Sequence, residues 1–151
     1  MDGYLINDTA AERHVGIYLS RPIYLRNSGA GQGMVATEVY LGDGGYQSDS
    51  RSSFIALSPG VQTRVVFIAY CVDFEKDNPS GSDRMTVGSV PAILNRVMSS
   101  IGSYVRANPD AEVGVATQLA IWLVQGVDTA AIRSRFEFTP VGERLARTFV
   151  R

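Results

Sequence analysis

The chain has 151 residues, of which 45% are hydrophobic and 19% charged, with a formal net charge of −1. A length and composition of that kind suit one globular domain and exclude a wholly disordered chain. Near-neutrality leaves no global field to draw it onto nucleic acid or an anionic membrane, so neither is expected as a partner.

Cysteine and histidine occur once each, as Cys71 and His14. A single cysteine rules out an intrachain disulfide and multi-cysteine metal sites, and a single histidine rules out histidine-rich metal centres. Lys76 is the only lysine among 14 basic residues. High genomic G+C content explains such a bias, and selection against surface amines is the alternative. The opening Met1-Asp2-Gly3-Tyr4 has no basic or apolar leader character. A cytoplasmic protein is expected if Met1 is the native start, and a cell-surface one if a leader has been removed. The longest apolar run, Val65 to Val72, is too short for a membrane span, so no membrane insertion is expected.

In chain order, the first half reads as strands. Val15–Leu19 and Ile23–Leu25 flank Arg21-Pro22, and Val35–Leu41 alternates along its length; Phe54–Leu57 and Arg64–Phe74 complete the set. Short β-branched and aromatic runs between Gly, Ser, Asn and Asp carry the strand signature. Gly29-Ala30-Gly31-Gln32-Gly33 has the glycine density of a phosphate loop, but a strand follows where a dinucleotide loop needs a helix. A flexible hairpin loop is expected there, and a second loop at Gly42–Gly45. Arg64–Phe74 is apolar on both faces, which predicts a central strand covered on both sides by the helices that follow.

Asp73, Glu75, Asp77 and Asp83, with Asn78 and Ser80, offer oxygen ligands of the calcium type without the spacing of an EF-hand loop. A solvated acidic turn is expected, with no metal site. Beyond it the period turns helical. Val90, Ile93, Leu94, Val97, Ile101, Tyr104 and Val105 predict an amphipathic helix over Val90–Ala107. Asp110 is placed to cap a second helix, Ala111–Gln125, closed by Gly126 and apolar almost all round, hence internal. Asp128 and Thr139-Pro140 open two shorter helices, the last carrying Arg144, Arg147 and Arg151. The pattern predicts a single α+β domain over residues 1–151: an antiparallel β-sandwich or barrel-like half (1–84) packed on a helical half (85–151), with one shared core.

Catalytic constellations are not visible. A nucleophile pair would need His14, which sits in the polar Glu12-Arg13-His14 stretch and is expected to be exposed and uninvolved. No cofactor or catalytic residue is expected, and the protein reads as a non-enzyme.

Two motifs carry more. Tyr70-Cys71-Val72 is followed, one helix later, by Thr117-Gln118-Leu119-Ala120-Ile121-Trp122. The pair resembles the thioester domains of bacterial surface adhesins, with their aromatic–Cys–apolar strand motif and T-Q-x-A-(I/V)-W helix motif. The resemblance covers about Gln62 to Gly126. It implies a protein-binding adhesion module in which a cysteine thiol attacks a glutamine carboxamide and expels ammonia. A partner's lysine amine can then open the internal thioester. It makes Tyr70, Cys71, Thr117, Gln118 and Trp122 the candidate site. The family takes its thioester glutamine from a later apolar–Q–x–x–apolar motif. After Trp122 the only glutamine is Gln125, without the closing apolar residue; Val61-Gln62-Thr63-Arg64-Val65 has the frame but precedes the cysteine. Gln118, mid-helix, is better suited to satisfying backbone groups. Cys71 is therefore expected to be a buried free thiol with a raised pKa. The other reading of the chain is an accessory subunit without thioester chemistry, docking onto a larger complex through its Arg-rich last helix and tyrosine-bearing loops.

Overall fold

A computed structural model describes residues 1–15, 21–42 and 55–151. Seven strands come first: β1 (Asp2–Ile6), β2 (Arg13–Val15), β3 (Ile23–Asn27), β4 (Met34–Leu41), β5 (Ile55–Leu57), β6 (Gln62–Cys71) and β7 (Met85–Gly88). Four helices follow: α1 (Ala92–Ala107), α2 (Gly114–Val124), α3 (Thr129–Arg133) and α4 (Pro140–Phe149). Most of the expected Val15–Leu19 strand, the Gly42–Gly45 loop and Phe54 lie outside the described residues.

The larger sheet is antiparallel and curled, in the order β1-β6-β4-β3-β7, with β2 and β5 forming a separate pair. This is the α+β fold the sequence predicts. The β3–β4 hairpin places Tyr24 opposite Val35 and Leu25 opposite Met34, and β4 runs on against β6 with Met34 opposite Cys71. A register shift between Ala36 and Glu38 marks a bulge, the usual device for bending a curled sheet.

Two apolar clusters replace the single shared core. One lies inside the curl, where Leu25, Met34, Ala36, Val65 and Phe67 meet Ile55 and Leu57 of the small sheet. The other lies between the opposite face, at Val35 and Val72, and the helices, through Leu94, Val97, Ile101, Leu119, Ile121 and Phe149. An antiparallel sheet with apolar residues on both faces buries each against a different neighbour. Cys71 touches both clusters, at the end of β6.

β6 is interior to the sheet, as expected, but its two faces differ. Val65 and Phe67 are buried, whereas Val66, Ile68 and Tyr70 are half-buried. α2 packs on β6, and the buried residues facing the helices begin only at its end, with Val72. The strand also stops at Cys71, so Asp73 and Phe74 lie beyond it.

Local chemistry explains the helix ends. Asp128 accepts hydrogen bonds from the Ala130 and Ala131 amides, and Thr139 from the Gly142 amide ahead of Pro140 at the first helical position. Gly126 has φ +83°, the left-handed closure expected after α2. The Asp110 cap does not form. The Ala111 amide bonds the Asn108 carbonyl in a turn, and α2 begins three residues later behind Val113 with no side-chain cap. Seven consecutive α2 residues, Ala116 to Trp122, are buried, so packing on both sides holds a helix that has no amphipathic face to present.

Candidate functional site

The thioester-type motifs meet at the end of β6. Cys71 donates its backbone N–H to Gln118 Oε1 at 2.8 Å, and Gln118 Nε2 donates to the Cys71 carbonyl at 2.8 Å. The carboxamide thus pairs with Cys71 as a neighbouring strand would, tying α2 to the sheet. Gln125, two turns on, donates from Nε2 to the Val72 and Ile121 carbonyls at 3.0 and 2.8 Å. Both glutamines act as backbone clamps, the role the sequence suggests for Gln118.

The other motif residues are architectural. Trp122 packs edge-on against Phe74 and Phe136, with ring centroids 5.2 and 5.5 Å away. Ala120 is fully buried. The Tyr70 phenol lies beside the buried Thr117 hydroxyl, which has no well-aligned partner among the described residues. Burial first, and then the Glu38 carboxylate, push the Tyr70 phenol above its ordinary pKa. Gln62 pairs with Ile6 at the far end of β6, about 30 Å from Cys71 for nine strand residues.

The glutamine that meets the thiol is Gln32, from the β3–β4 loop. Its residue is 4% exposed. Nε2 donates to Asn78 Oδ1 at 2.8 Å, and the Cys71 thiol donates to the same oxygen at 3.5 Å. The carboxamide and the thiol thus share one acceptor, while Gln32 Oε1 is buried without a partner among the described residues. Cys71 is half-buried, and burial raises its thiol pKa despite opposing hydrogen bonds from its own backbone and from Gln32.

Glycines let Gln32 come this close. A Cβ on Gly31 would stand 2.6 Å from Asn27 Nδ2 and 2.7 Å from Asp83 Oδ2, and one on Gly33 would run into the Tyr24 hydroxyl. The loop is then zipped to the 73–84 segment. The Gln32 amide donates to the Asp77 carbonyl at 3.0 Å, the Val72 amide to the Gly33 carbonyl at 3.1 Å, and the Gly33 amide to Asp73 Oδ2 at 3.0 Å. The Gly-rich stretch is a hairpin loop, as expected, but one with a buried polar residue on its β4 side.

Of the acidic side chains, Asp73 and Asp83 serve this latch, while Glu75 pairs with Arg135 at 3.6 Å. Asp83 accepts from Asn27 Nδ2, the Ser80 amide and the Ser80 hydroxyl at 2.8, 3.1 and 2.9 Å. Those bonds, Asn27 foremost, hold its carboxyl below the usual carboxylate range. Among the described residues, no three His, Cys, Asp or Glu side chains assemble as a metal site. His14, itself exposed on β2, lies 3.0 Å from Glu12 Oε1. No described helix is long and apolar enough to cross a membrane.

A broad groove lies elsewhere, between the start of α2 and α4, lined by Val115, Phe138 and Val141. Its lining cation, Arg133, is engaged, stacking 4.1 Å from the Phe138 ring centroid and pairing with Glu143 at 2.8 Å, and Glu112 and Glu137 line the groove as well. Arg147 pairs with the same glutamate at 2.8 Å, so this part of the Arg-rich helix is satisfied internally.

Sequence reasoning brought together Tyr70, Cys71, Thr117, Gln118 and Trp122 but passed over Gln32 and Asn78 as neighbours of the thiol. The available signal was Gly31-Gln32-Gly33, a single long polar side chain between two glycines. No protein-family model matches the chain, and searches of curated proteins and of solved structures return no match.

Proposed function

We propose that this protein is a non-enzymatic protein-binding module of the thioester-domain type, in which Cys71 and Gln32 supply the internal thioester. One observation carries the reading: a buried carboxamide with an unpartnered oxygen, which shares the Asn78 Oδ1 acceptor with the chain's only thiol. In the reaction the Cys71 sulfur bonds to Gln32 Cδ, the Cδ–Nε2 bond breaks, and the thiol proton leaves with the nitrogen as ammonia. Amides resist such attack in water, so fixed proximity has to supply much of the rate. An unpaired buried carbonyl also costs about 1–3 kcal/mol in the amide state. A thioester carbonyl, lacking amide resonance, is the weaker acceptor and has less to lose there. The expectation of a free thiol weighed Gln118, Gln125 and Gln62; Gln32 is a partner it did not weigh.

Partner capture follows by attack of an amine on the acyl carbon, which returns the Cys71 thiol and leaves an amide. Half-exposure of Cys71 beside exposed Asn78 gives an amine a way in. Intact-mass measurement tests the reading. A species lighter by one ammonia is expected, and it should be absent in Cys71→Ala and Gln32→Leu; full mass in the unmodified protein overturns the proposal.

A second reading, an accessory subunit that docks without covalent chemistry, has one observation in its favour. Tyr4 and Ile6 of β1 are 63% and 56% exposed, on the sheet face shared with half-buried Val66 and Ile68. Such a face suits non-covalent docking, and it is the reading left if the lighter species is missing.

A further inference from the structure

The chain's only lysine, Lys76, stands in the segment that closes over Gln32. Lys76 Nζ lies 3.4 Å from Asp73 Oδ2, and that same oxygen accepts the Gly33 amide at 3.0 Å. One carboxylate oxygen therefore joins the amine to the residue next to Gln32. The residues after Lys76 continue the contact, through the Asp77 carbonyl to the Gln32 amide at 3.0 Å and through Asn78 Oδ1 to Gln32 Nε2 at 2.8 Å. The lysine side chain is half-exposed, which leaves it free to turn on its flexible stem. The other 13 basic residues are arginines, whose guanidinium groups stay protonated and are not acyl acceptors.

We propose that Lys76 is an internal acceptor for the Gln32 acyl group, so that the protein closes on itself into a Gln32–Lys76 isopeptide bond with Cys71 as the nucleophile that makes it. The inference rests on the Cys71–Gln32 thioester proposed above. In the second step Lys76 Nζ, as the free amine, bonds to Gln32 Cδ and the Cδ–Sγ bond breaks. One Nζ proton passes to sulfur and restores the thiol. Over both steps a carboxamide and an amine become a secondary amide and ammonia, with no oxidant or other reactant required. Holding amine and acyl carbon on two zipped loops converts a bimolecular aminolysis into an intramolecular one. Lys76 Nζ has to leave its contact with Asp73 before it attacks, which slows closure. A partner amine has to reach the acyl carbon before Lys76 does. The finished bond would tie the β3–β4 loop covalently to the 73–84 segment.

The link chemistry is testable separately from the loss of ammonia. Purified full chain and Lys76→Arg, which keeps the cation beside Asp73, are weighed intact before and after methylamine, and the digests are searched for a branched peptide. The expected result is a wild-type chain lighter by one ammonia, inert to methylamine, with Gln32 and Lys76 in one cross-linked peptide. Lys76→Arg should be equally light but should add methylamine, and Cys71→Ala should keep full mass. If the wild type is light and adds methylamine as readily as Lys76→Arg, Lys76 is not the acceptor and the thioester stands. A light but inert Lys76→Arg, or a cross-link that survives in Cys71→Ala, overturns the inference as well. Full mass in both wild type and Lys76→Arg means that the thioester reading itself has failed.

Discussion

Around Cys71, the helical side of the molecule and the loop side each present a glutamine, and they use it differently. On α2, Gln118 has both amide atoms committed to the Cys71 backbone at 2.8 Å. In the β3–β4 loop, Gln32 commits its nitrogen to Asn78 and leaves its buried oxygen unpaired. A complete pairing makes the carboxamide part of the sheet and removes it from chemistry. An incomplete one costs stability and leaves a carbonyl beside a thiol. The motif legible in the sequence belongs to the first kind, and the candidate reactive group to the second.

The contrast can be broken most severely from the helical side. Trp122→Ala removes a ring packed against Phe74 and Phe136, and should cost about 4 kcal/mol in urea unfolding. Gln118→Leu keeps the bulk but strips the Cys71 N–H and carbonyl of their partners, and should cost about 3 kcal/mol in the same titration. A loss under about 1 kcal/mol there would mean that the clamp is dispensable.

The loop side should be more tolerant. Gly33→Ala sets a Cβ against the Tyr24 hydroxyl and should cost about 2 kcal/mol while displacing Gln32, so the lighter species should disappear with it. Gln32→Leu removes a half-satisfied polar group and should stay within about 1 kcal/mol of wild type, yet it should abolish the mass loss completely. Equal destabilisation by Gln32→Leu and Gln118→Leu would erase the distinction between the two glutamines.

The smallest effect concerns the thiol. In Gln32→Leu the thiol stays free, and burial still raises its pKa, so alkylation by iodoacetamide should be slower than for an unfolded control, with its pH profile displaced to the alkaline side. The folded thiol holds its proton more tightly than the unfolded one. Its contribution to stability is therefore present below the ordinary thiol range and is lost as pH rises through that range towards the raised value. An alkylation profile displaced to the acid side would contradict the partial burial of Cys71.

Legibility followed the range of the interactions. Alternation in Val35–Leu41 places β4 within a residue of its Met34 start, and the three-and-four spacing of Leu94, Val97, Ile101 and Val105 places α1. Asp128 and Thr139 mark their helix starts because a cap bonds amides only two or three residues away. β1 and β7 leave weaker traces. They are the edge strands; in β1 only Leu5 is buried, and in β7 no residue is, so neither shows an apolar period. They exist as strands because β6 and β3 offer backbone partners.

By itself the sequence determined an α+β chain, an apolar strand running through Cys71 and a buried helix whose T-Q-x-A-I-W motif needs polar partners, because local periodicity and capping act within a few residues. Only the tertiary structure decided which glutamine meets the thiol. Gln32 and Cys71 stand 39 positions apart in the chain, and what joins them is the opposition of Met34 to Cys71 across β4 and β6 and two glycines that let the loop close. Strand pairing and close approach of this kind depend on the whole sheet having formed, and no local pattern encodes them.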